Sequence, residues 1–287
     1  MLKPTTLHEA FAEAAGRLRE AGIETPELDA RLLLCDAAGL NHEAYIARGG
    51  ETLRPEEAAR FEAALGRRLK REPVSRILGL GEFYGRAFLV GPETLDPRPD
   101  TETLIDAALE IAKTRGGRNR PLTILDLGTG TGCILLTLLA ALPKARGLGT
   151  DISQAALAIA RKNAGRLGVA ERASFVAADW LDGIEGKFAI VLSNPPYIPS
   201  REIAGLAADV RTYDPRVALD GGADGLQAYR KIAARAGQAL AQDGALLVEI
   251  GASQGDDVAG IFRAAGLQVS SIKKDLAGRP RVVIAGR

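Results

Sequence analysis

From residue 121 to the C-terminus, short apolar runs of β-prone residues alternate with stretches of helical spacing. No other feature narrows the folds open to this chain so far. Strands are expected at 122–127, 146–150, 173–177, 188–193, 245–250, 268–272 and 281–285. Several are continuous apolar runs, the pattern of parallel strands buried on both faces. Between them, stretches such as 154–167 and 226–240 repeat apolar residues at helical spacing. Strand–helix alternation predicts an α/β fold, a doubly wound and mostly parallel seven-stranded sheet.

The N-terminal third reads differently. Thr6 with Glu9 fits a capping box ahead of Phe11, Ala14, Ala15 and Leu18. Thr25-Pro26 opens a second helix, with Leu28, Leu32 and Leu33 expected on one face, and Arg54-Pro55 opens another carrying Ala58, Phe61 and Leu65. No strand is expected before residue 86. At 287 residues the chain is long enough for two domains. The expected division is an all-α N-terminal domain at 1–85, a β-hairpin-like linker at 86–100 rich in turn formers, and an α/β domain at 101–287.

Composition excludes several classes. Lys and Arg (37) nearly balance Asp and Glu (36), and the N-terminal domain is mildly acidic, so stable nucleic-acid binding is not expected. Cys35 and Cys133 lie far apart in apolar surroundings and read as buried, reduced thiols. The only histidines are His8 and His42, so no metal site is expected. Met1 to Ala10 lacks the apolar core of a leader, and the longest apolar run, 133–143, is far short of the ~20 residues that span a bilayer. A cytoplasmic monomer follows as the expectation.

The first strand of the α/β region runs into Asp126-Leu127-Gly128-Thr129-Gly130-Thr131-Gly132, with a helix from about Cys133. Glycines let the backbone turn sharply and approach a ligand. A dinucleotide fingerprint would place its third glycine at position 133, where Cys133 stands instead. The spacing here resembles the first motif of S-adenosylmethionine-dependent methyltransferases. Asp151 ends the second strand, where an acid accepts hydrogen bonds from ribose hydroxyls; its other reading is the N-cap of the next helix, a task Ser153 can also perform. After the third strand, Asp179 is a candidate for an adenine amine and Trp180 for packing on the ring, with a core aromatic as the alternative.

The fourth strand ends in Asn194-Pro195-Pro196-Tyr197. The prolines stop the strand and carry no N–H, so the loop offers carbonyl acceptors. Asn194 adds an amide oxygen and Tyr197 a flat face. Together they suit a planar –NH2 group held by both hydrogens. A carboxamide nitrogen is a poor nucleophile because its lone pair is delocalised into the carbonyl. Acceptors on both N–H bonds return density to nitrogen, so positioning and electrostatics carry a methyl transfer without metal or base. The bland alternative is a strand end with a stiff turn.

With these motifs the chain resembles the bacterial protein-(glutamine-N5) methyltransferases that modify peptide chain release factors, the HemK-like family. The resemblance runs over nearly the whole length. It includes Pro73-Val74-Ser75-Arg76-Ile77-Leu78-Gly79, Glu82-Phe83-Tyr84-Gly85, Pro97-Arg98-Pro99-Asp100-Thr101-Glu102, Tyr213-Asp214-Pro215, Gly221-Gly222-Ala223-Asp224-Gly225-Leu226, and Glu249-Ile250-Gly251 with Gln254. Asp96 departs from the family, which usually has an apolar residue there. The resemblance implies S-adenosyl-L-methionine as cofactor, contacted by Gly128, Thr129, Gly130, Thr131, Gly132, Asp151, Trp180 and Asn194. It implies the glutamine of a Gly-Gly-Gln loop in release factors as acceptor, contacted by Asn194, Pro195, Pro196 and Tyr197, with the N-terminal domain gripping the release factor. Arg98 and Glu102 are candidates for the substrate side or for a salt-bridged linker. A ribosomal-protein glutamine methyltransferase, a DNA adenine-N6 or cytosine-N4 methyltransferase and a non-catalytic nucleotide binder are the alternatives.

Overall fold

The computed structural model describes residues 5–287. The first four residues of the stretch read above as lacking a leader's core lie outside it. The chain forms two compact units, one running to Gly79 and including Ala208–Tyr213, the other comprising Leu80–Ala207 and Asp214–Arg287.

The first unit is built from α1 (Leu7–Glu20), α2 (Pro26–Ala38), α3 (His42–Arg48), α4 (Pro55–Leu69) and the short α5 (Val74–Leu78). The capping box at its start is complete: Thr6 Oγ1 accepts from the Glu9 N–H at 3.2 Å, and the Glu9 carboxylate accepts from the Thr6 N–H at 2.8 Å. Leu18, Leu33, Leu34, Phe61 and Leu65 fill the core. The inward face of α2 differs from the expected one. Ala30, Leu33, Leu34 and Ala37 point inward, while Leu28 and Leu32 are exposed. Positions 30, 33, 34 and 37 share a stripe at 3.6 residues per turn, and 28 and 32 fall outside it. The Arg68 guanidinium joins the Asp29 carboxylate at 2.7 Å, both nearly buried, and ties α4 to α2.

The second unit opens with a hairpin, β1 (Leu80–Phe83) and β2 (Arg86–Leu89). Its two-residue turn, Tyr84-Gly85, has φ of 51° and 68°, the primed turn that suits strand twist. The hairpin therefore begins inside the stretch expected to be helical. Gly79 and Gly81 break the apolar alternation that signals a strand, and tertiary burial of Phe83 and Phe88 supplies the missing drive. Their rings pack edge to face with centroids 6.3 Å apart.

There follow α6 (Glu102–Thr114), β3 (Thr123–Leu127), α7 (Cys133–Ala141), β4 (Arg146–Asp151), α8 (Gln154–Arg166), β5 (Ala173–Ala177) and β6 (Phe188–Ser193). After β6 come α9 (Ala208–Tyr213), which belongs to the helical unit, then α10 (Gln227–Ala239), β7 (Leu240–Glu249), α11 (Gly255–Ala264), β8 (Gln268–Lys274) and β9 (Pro280–Gly286). The seven-stranded sheet has the order β5-β4-β3-β6-β7-β9-β8. β3 through β7 run parallel, and β9 is antiparallel to both β7 and β8.

Side chains alternate across the sheet as the pleat demands. Ile124, Ile190, Leu192 and Leu247 join the core under α6 and α7, while Leu125, Val191, Leu246 and Val248 join the core under α10 and α11. Both faces are apolar, which is why the strand sequences read as unbroken hydrophobic runs. The order reverses between β3 and β6. That switch point opens a crevice at the carboxyl ends of the strands, the usual ligand position in such sheets. No helix among the described residues is long and apolar enough to cross a membrane.

Candidate active site

The loops after β3, β4, β5 and β6 converge on a cavity of about 300 Å³ at the switch point. Its volume lies at the lower end of the range for small-molecule sites, ~300–1,000 Å³. Of the residues singled out from sequence, Arg98, Gly128, Thr129, Gly130, Thr131, Asp151, Asp179, Trp180, Asn194 and Pro196 line it. Gly132, Pro195, Tyr197 and Glu102 do not.

The glycine loop is held from beneath. The Thr129 hydroxyl donates to the Asp126 carboxylate at 2.6 Å, and its N–H donates to the Thr150 carbonyl at 2.8 Å. Gly128 and Gly130 take positive φ and line the cavity with backbone. Gly132 has a packing task instead: a Cβ there would collide with Leu136 on α7 and press on Ala160 of α8. Asn163, buried on α8, donates to the carbonyls of Thr131 and Leu89 and accepts from the Leu89 N–H, so it ties the glycine loop to the hairpin.

Asp151 is not the cap of α8. Ser153 takes that position, its hydroxyl oxygen accepting from the Ala156 N–H at 3.1 Å. Asp151 accepts from the Gly130 N–H and the Ser153 N–H, each at 2.9 Å, one on each carboxylate oxygen. Each oxygen retains lone-pair capacity toward the cavity. Trp180, with φ of 56°, packs its ring edge close to Gly128 at the cavity wall. Asp179 is bound by Lys231 at 2.8 Å, so any amine it received would share it with an ammonium. A carboxylate pair of acceptors, a flat indole and an open backbone loop suit an adenosine-bearing ligand.

The next part of the wall comes from the end of β6, the neighbour of β3. Ser193 donates to the Leu127 carbonyl at 2.8 Å, and Asn194 follows at the edge of the cavity. Its amide Nδ2 donates to the Thr101 hydroxyl at 3.0 Å, leaving Oδ1 as an acceptor. Tyr197 is partly buried and packs against the core, and burial pushes its phenol above the ordinary range. Its carbonyl accepts from Gln254 Nε2 at 3.0 Å, while Gln254 Oε1 accepts from the Gly251 N–H at 3.0 Å. Gly221 and Gly225 stand so close to the carbonyls of Pro196 and Tyr197 that a side chain at either would collide.

The two linker candidates separate. Arg98 pairs with the buried Asp214 at 2.5 Å on the cavity wall. The Glu102 carboxylate accepts from the Tyr84 N–H at 2.8 Å and pins the hairpin turn. Asp96 is buried at the cavity wall. Sequence reading assigned no task to Thr101, Glu249, Gln254 or Lys231. Three of them fell within stretches quoted for the family resemblance or beside them, but no spacing rule joins residues so far apart. Cys133 is buried, its thiol pushed up to about 12 by burial, whereas Cys35 is half-buried, contrary to expectation. No group of three or more metal-ligating side chains occurs among the described residues.

Comparison with known proteins matches residues 9–79 to the PrmC N-terminal domain and residues 108–209 to the methyltransferase small domain. A release factor glutamine methyltransferase from Rhodospirillum rubrum is 50% identical over 95% of this chain and 82% of its own length. One from Cereibacter sphaeroides is 49% identical over 96% of this chain and 97% of its own. The chain belongs to the release factor glutamine methyltransferase family. Among solved structures, the hMettl16 catalytic domain aligns with a TM-score of 0.55 at 15% identity, covering 83% of this chain and 84% of that one, a likeness of fold.

Two measurements follow for this release factor glutamine methyltransferase family member. Gly225, with φ of 75°, faces the Tyr197 carbonyl. Gly225→Ala is expected to cost roughly 1–3 kcal/mol, read from the urea midpoint, through strain and displacement of the Tyr197 loop. Asp126 is fully buried, and desolvation raises its carboxyl to about 7. The folded state thus binds its proton more tightly than the unfolded chain, and Asp126 lowers stability as pH rises from the ordinary carboxylate range through about 7. Asp126→Asn keeps an acceptor for Thr129 and removes the ionisation. Its stability relative to the parent is expected to improve between pH 5 and pH 8; a constant difference would contradict the shift.

Proposed function

We propose that this chain transfers a methyl group from S-adenosylmethionine to the side-chain amide nitrogen of the Gly-Gly-Gln glutamine in peptide chain release factors. The observation that carries the reading is the placement of Asn194 at the switch point, on the strand beside the glycine loop and in the same cavity as Asp151, with its amide oxygen left as an acceptor. Relatives at 49–50% identity carry the release-factor name, which favours this acceptor over the ribosomal-protein and DNA alternatives.

The bound cofactor supplies a sulfonium methyl group, an electrophile that needs no further activation. Gly128 to Thr131 would hold it with backbone, Asp151 would accept from its ribose hydroxyls, and Trp180 would pack against its adenine. Asn194 Oδ1 and a backbone carbonyl of the Pro195-Pro196 turn would accept the two N–H bonds of the glutamine amide. They aim its nitrogen and return electron density from the carbonyl. No side chain acts as a base, because an N-methylated amide cation is acidic enough to release its surplus proton once the bond has formed. The contribution of the protein is orientation and fixed dipoles.

Incubating the full chain with S-adenosylmethionine and a release factor is expected to add one methyl to that glutamine, detected by peptide mass spectrometry, and none to duplex DNA. Transfer to adenine or cytosine, with none to the release factor, would overturn the reading. In single turnover with saturating cofactor, Asn194→Ala is expected to lose roughly 10²-fold or more, as when one preorganised electrostatic partner is deleted. Asn194→Asp keeps an acceptor oxygen and should retain part of the rate. Equal, near-parental rates for both variants would reduce Asn194 to a strand terminator.

A further inference from the structure

We propose that Asn163 is a positioning residue that clamps two segments of the cavity wall to each other, the glycine loop and the turn at 91–94, and so sets how tightly the cavity holds its cofactor. The proposal rests on the reading of this cavity as the S-adenosylmethionine site.

Asn163 sits in the last turn of α8, is 1% exposed, and does not itself line the cavity. Its amide bonds only to backbone. Nδ2 donates to the Thr131 carbonyl at 2.9 Å and to the Leu89 carbonyl at 3.0 Å, and Oδ1 accepts from the Leu89 N–H at 2.7 Å. The two bonds to Leu89 are those a neighbouring strand would make at the end of β2. The bond to Thr131 reaches the glycine loop. Only one orientation of the amide works: turned over, its oxygen would face two carbonyls and its –NH2 an N–H. Neighbouring residues of α8 press on the same two segments. A Cβ added to Gly132 would come within 3.2 Å of Ala160, and one added to Gly91 within 2.6 Å of Ile159. Just beyond Leu89 the chain turns into the cavity. The Thr94 hydroxyl donates to the Gly91 carbonyl at 3.0 Å and accepts from the Gly91 N–H at 3.2 Å, which closes the turn. Thr94 then lines the cavity together with Gly128 to Thr131.

The first half of the glycine loop is anchored to β3 and β4, Thr129 by Asp126 and the Thr150 carbonyl, and Gly130 by Asp151. Asn163 anchors the second half. Glycines at 128, 130 and 132 take positive φ, so the loop bends easily once that anchor is gone. A carbonyl left without its buried donor draws the loop toward water. Binding must then restore the geometry, and a site that is ordered only part of the time shows a lower apparent affinity. None of the three Asn163 bonds reaches β6 or Asn194. The clamp therefore acts on cofactor binding and not on the transfer step that follows it.

The test uses the full chain and S-adenosylhomocysteine. Asn163→Asp keeps the shape and the acceptor for the Leu89 N–H but loses both donors. Calorimetry should show a dissociation constant raised roughly tenfold or more. The apparent Michaelis constant for S-adenosylmethionine should rise with it, while single-turnover transfer to a release factor at saturating cofactor stays within roughly threefold of the parent. Phe262→Leu, a cut in the core under α11, lowers stability away from the clamp and should leave cofactor affinity at the parental value. Hydrogen exchange reads the clamp in the parent itself. S-adenosylhomocysteine should slow exchange at residues 86–91 as well as at 128–132, and in Asn163→Asp the slowing at 86–91 should disappear. If Asn163→Asp fails to fold, Asn163→Ser and the exchange pattern of the parent decide. Parental affinity in the folded variants, equal weakening in Phe262→Leu, or no response at 86–91 in the parent would overturn the clamp. A parent that binds no S-adenosylhomocysteine would overturn the reading of the cavity instead.

Discussion

The pairing of β3 with β6 is the constraint on which the rest of the site depends. Leu125 pairs with Val191, Asp126 with Leu192 and Leu127 with Ser193, and the Ser193 hydroxyl fastens the last pair by donating to the Leu127 carbonyl at 2.8 Å. Neighbouring strands lie about 4.8 Å apart. Gly128 and Asn194, the next residue on each strand, therefore start side by side at the point where the strand order reverses. A slip of two residues would keep every side chain on its proper face yet move Asn194 about 7 Å along the strand, away from the glycine loop. Hydrophobic patterning alone tolerates that slip. The polar bond from Ser193 and the proline stop at Pro195 do not.

Register places the residues, and a second layer keeps them there. Apart from α9, which belongs to the helical unit, the long connection between β6 and α10 has little regular structure, and long irregular loops usually serve a function. Here it backs the Asn-Pro-Pro-Tyr turn. Ile198 and Gly221 exchange bonds with one another's neighbourhood, Ile198 donating to the Leu219 carbonyl and Gly221 to that of Ile198. Ser200 donates to Asp220 at 2.5 Å. Gln254 uses both ends of its amide, giving N–H bonds to Tyr197 and Gly225 and accepting from Gly251 and the Tyr229 hydroxyl. Glycines at 221 and 225 are what let these backbones come so close.

How much of this was legible in the sequence follows from the range of each interaction. The central strands β3, β6, β7 and β9 were readable because burial on both faces writes itself as contiguous apolar residues. The Thr6–Glu9 box was readable because its partners sit three residues apart. The hairpin at Leu80–Leu89 was not, since two glycines and a polar residue mask a four-residue strand whose stability comes from Phe83 and Phe88 packing far from their neighbours in sequence. Asp151 was left between two tasks, and only the position of Ser153 separates them. Thr101 and Gln254 reach Asn194 and Tyr197 from distant elements. No periodicity or spacing links such residues; the topology alone brings them together.

The switch point also holds a buried acid at the end of two strands. At the end of β3 the Asp126 carboxylate receives the Thr129 hydroxyl, and at the end of β7 Glu249 is buried as well. Desolvation raises both acids to about 7, so each costs stability wherever it is ionised. An acid that receives a hydroxyl, as Asp126 does, contributes direction rather than binding energy. It turns a two-way hydroxyl into a one-way donor, which leaves that hydroxyl's oxygen to accept from the side it faces. The apolar clusters on either face of the sheet offset the cost, because desolvation of a few acids is small beside the burial of two full cores. Stability resides in the pleated interior of the sheet, and the polar groups that cost stability are gathered at its carboxyl edge, beside the loops that line the cavity.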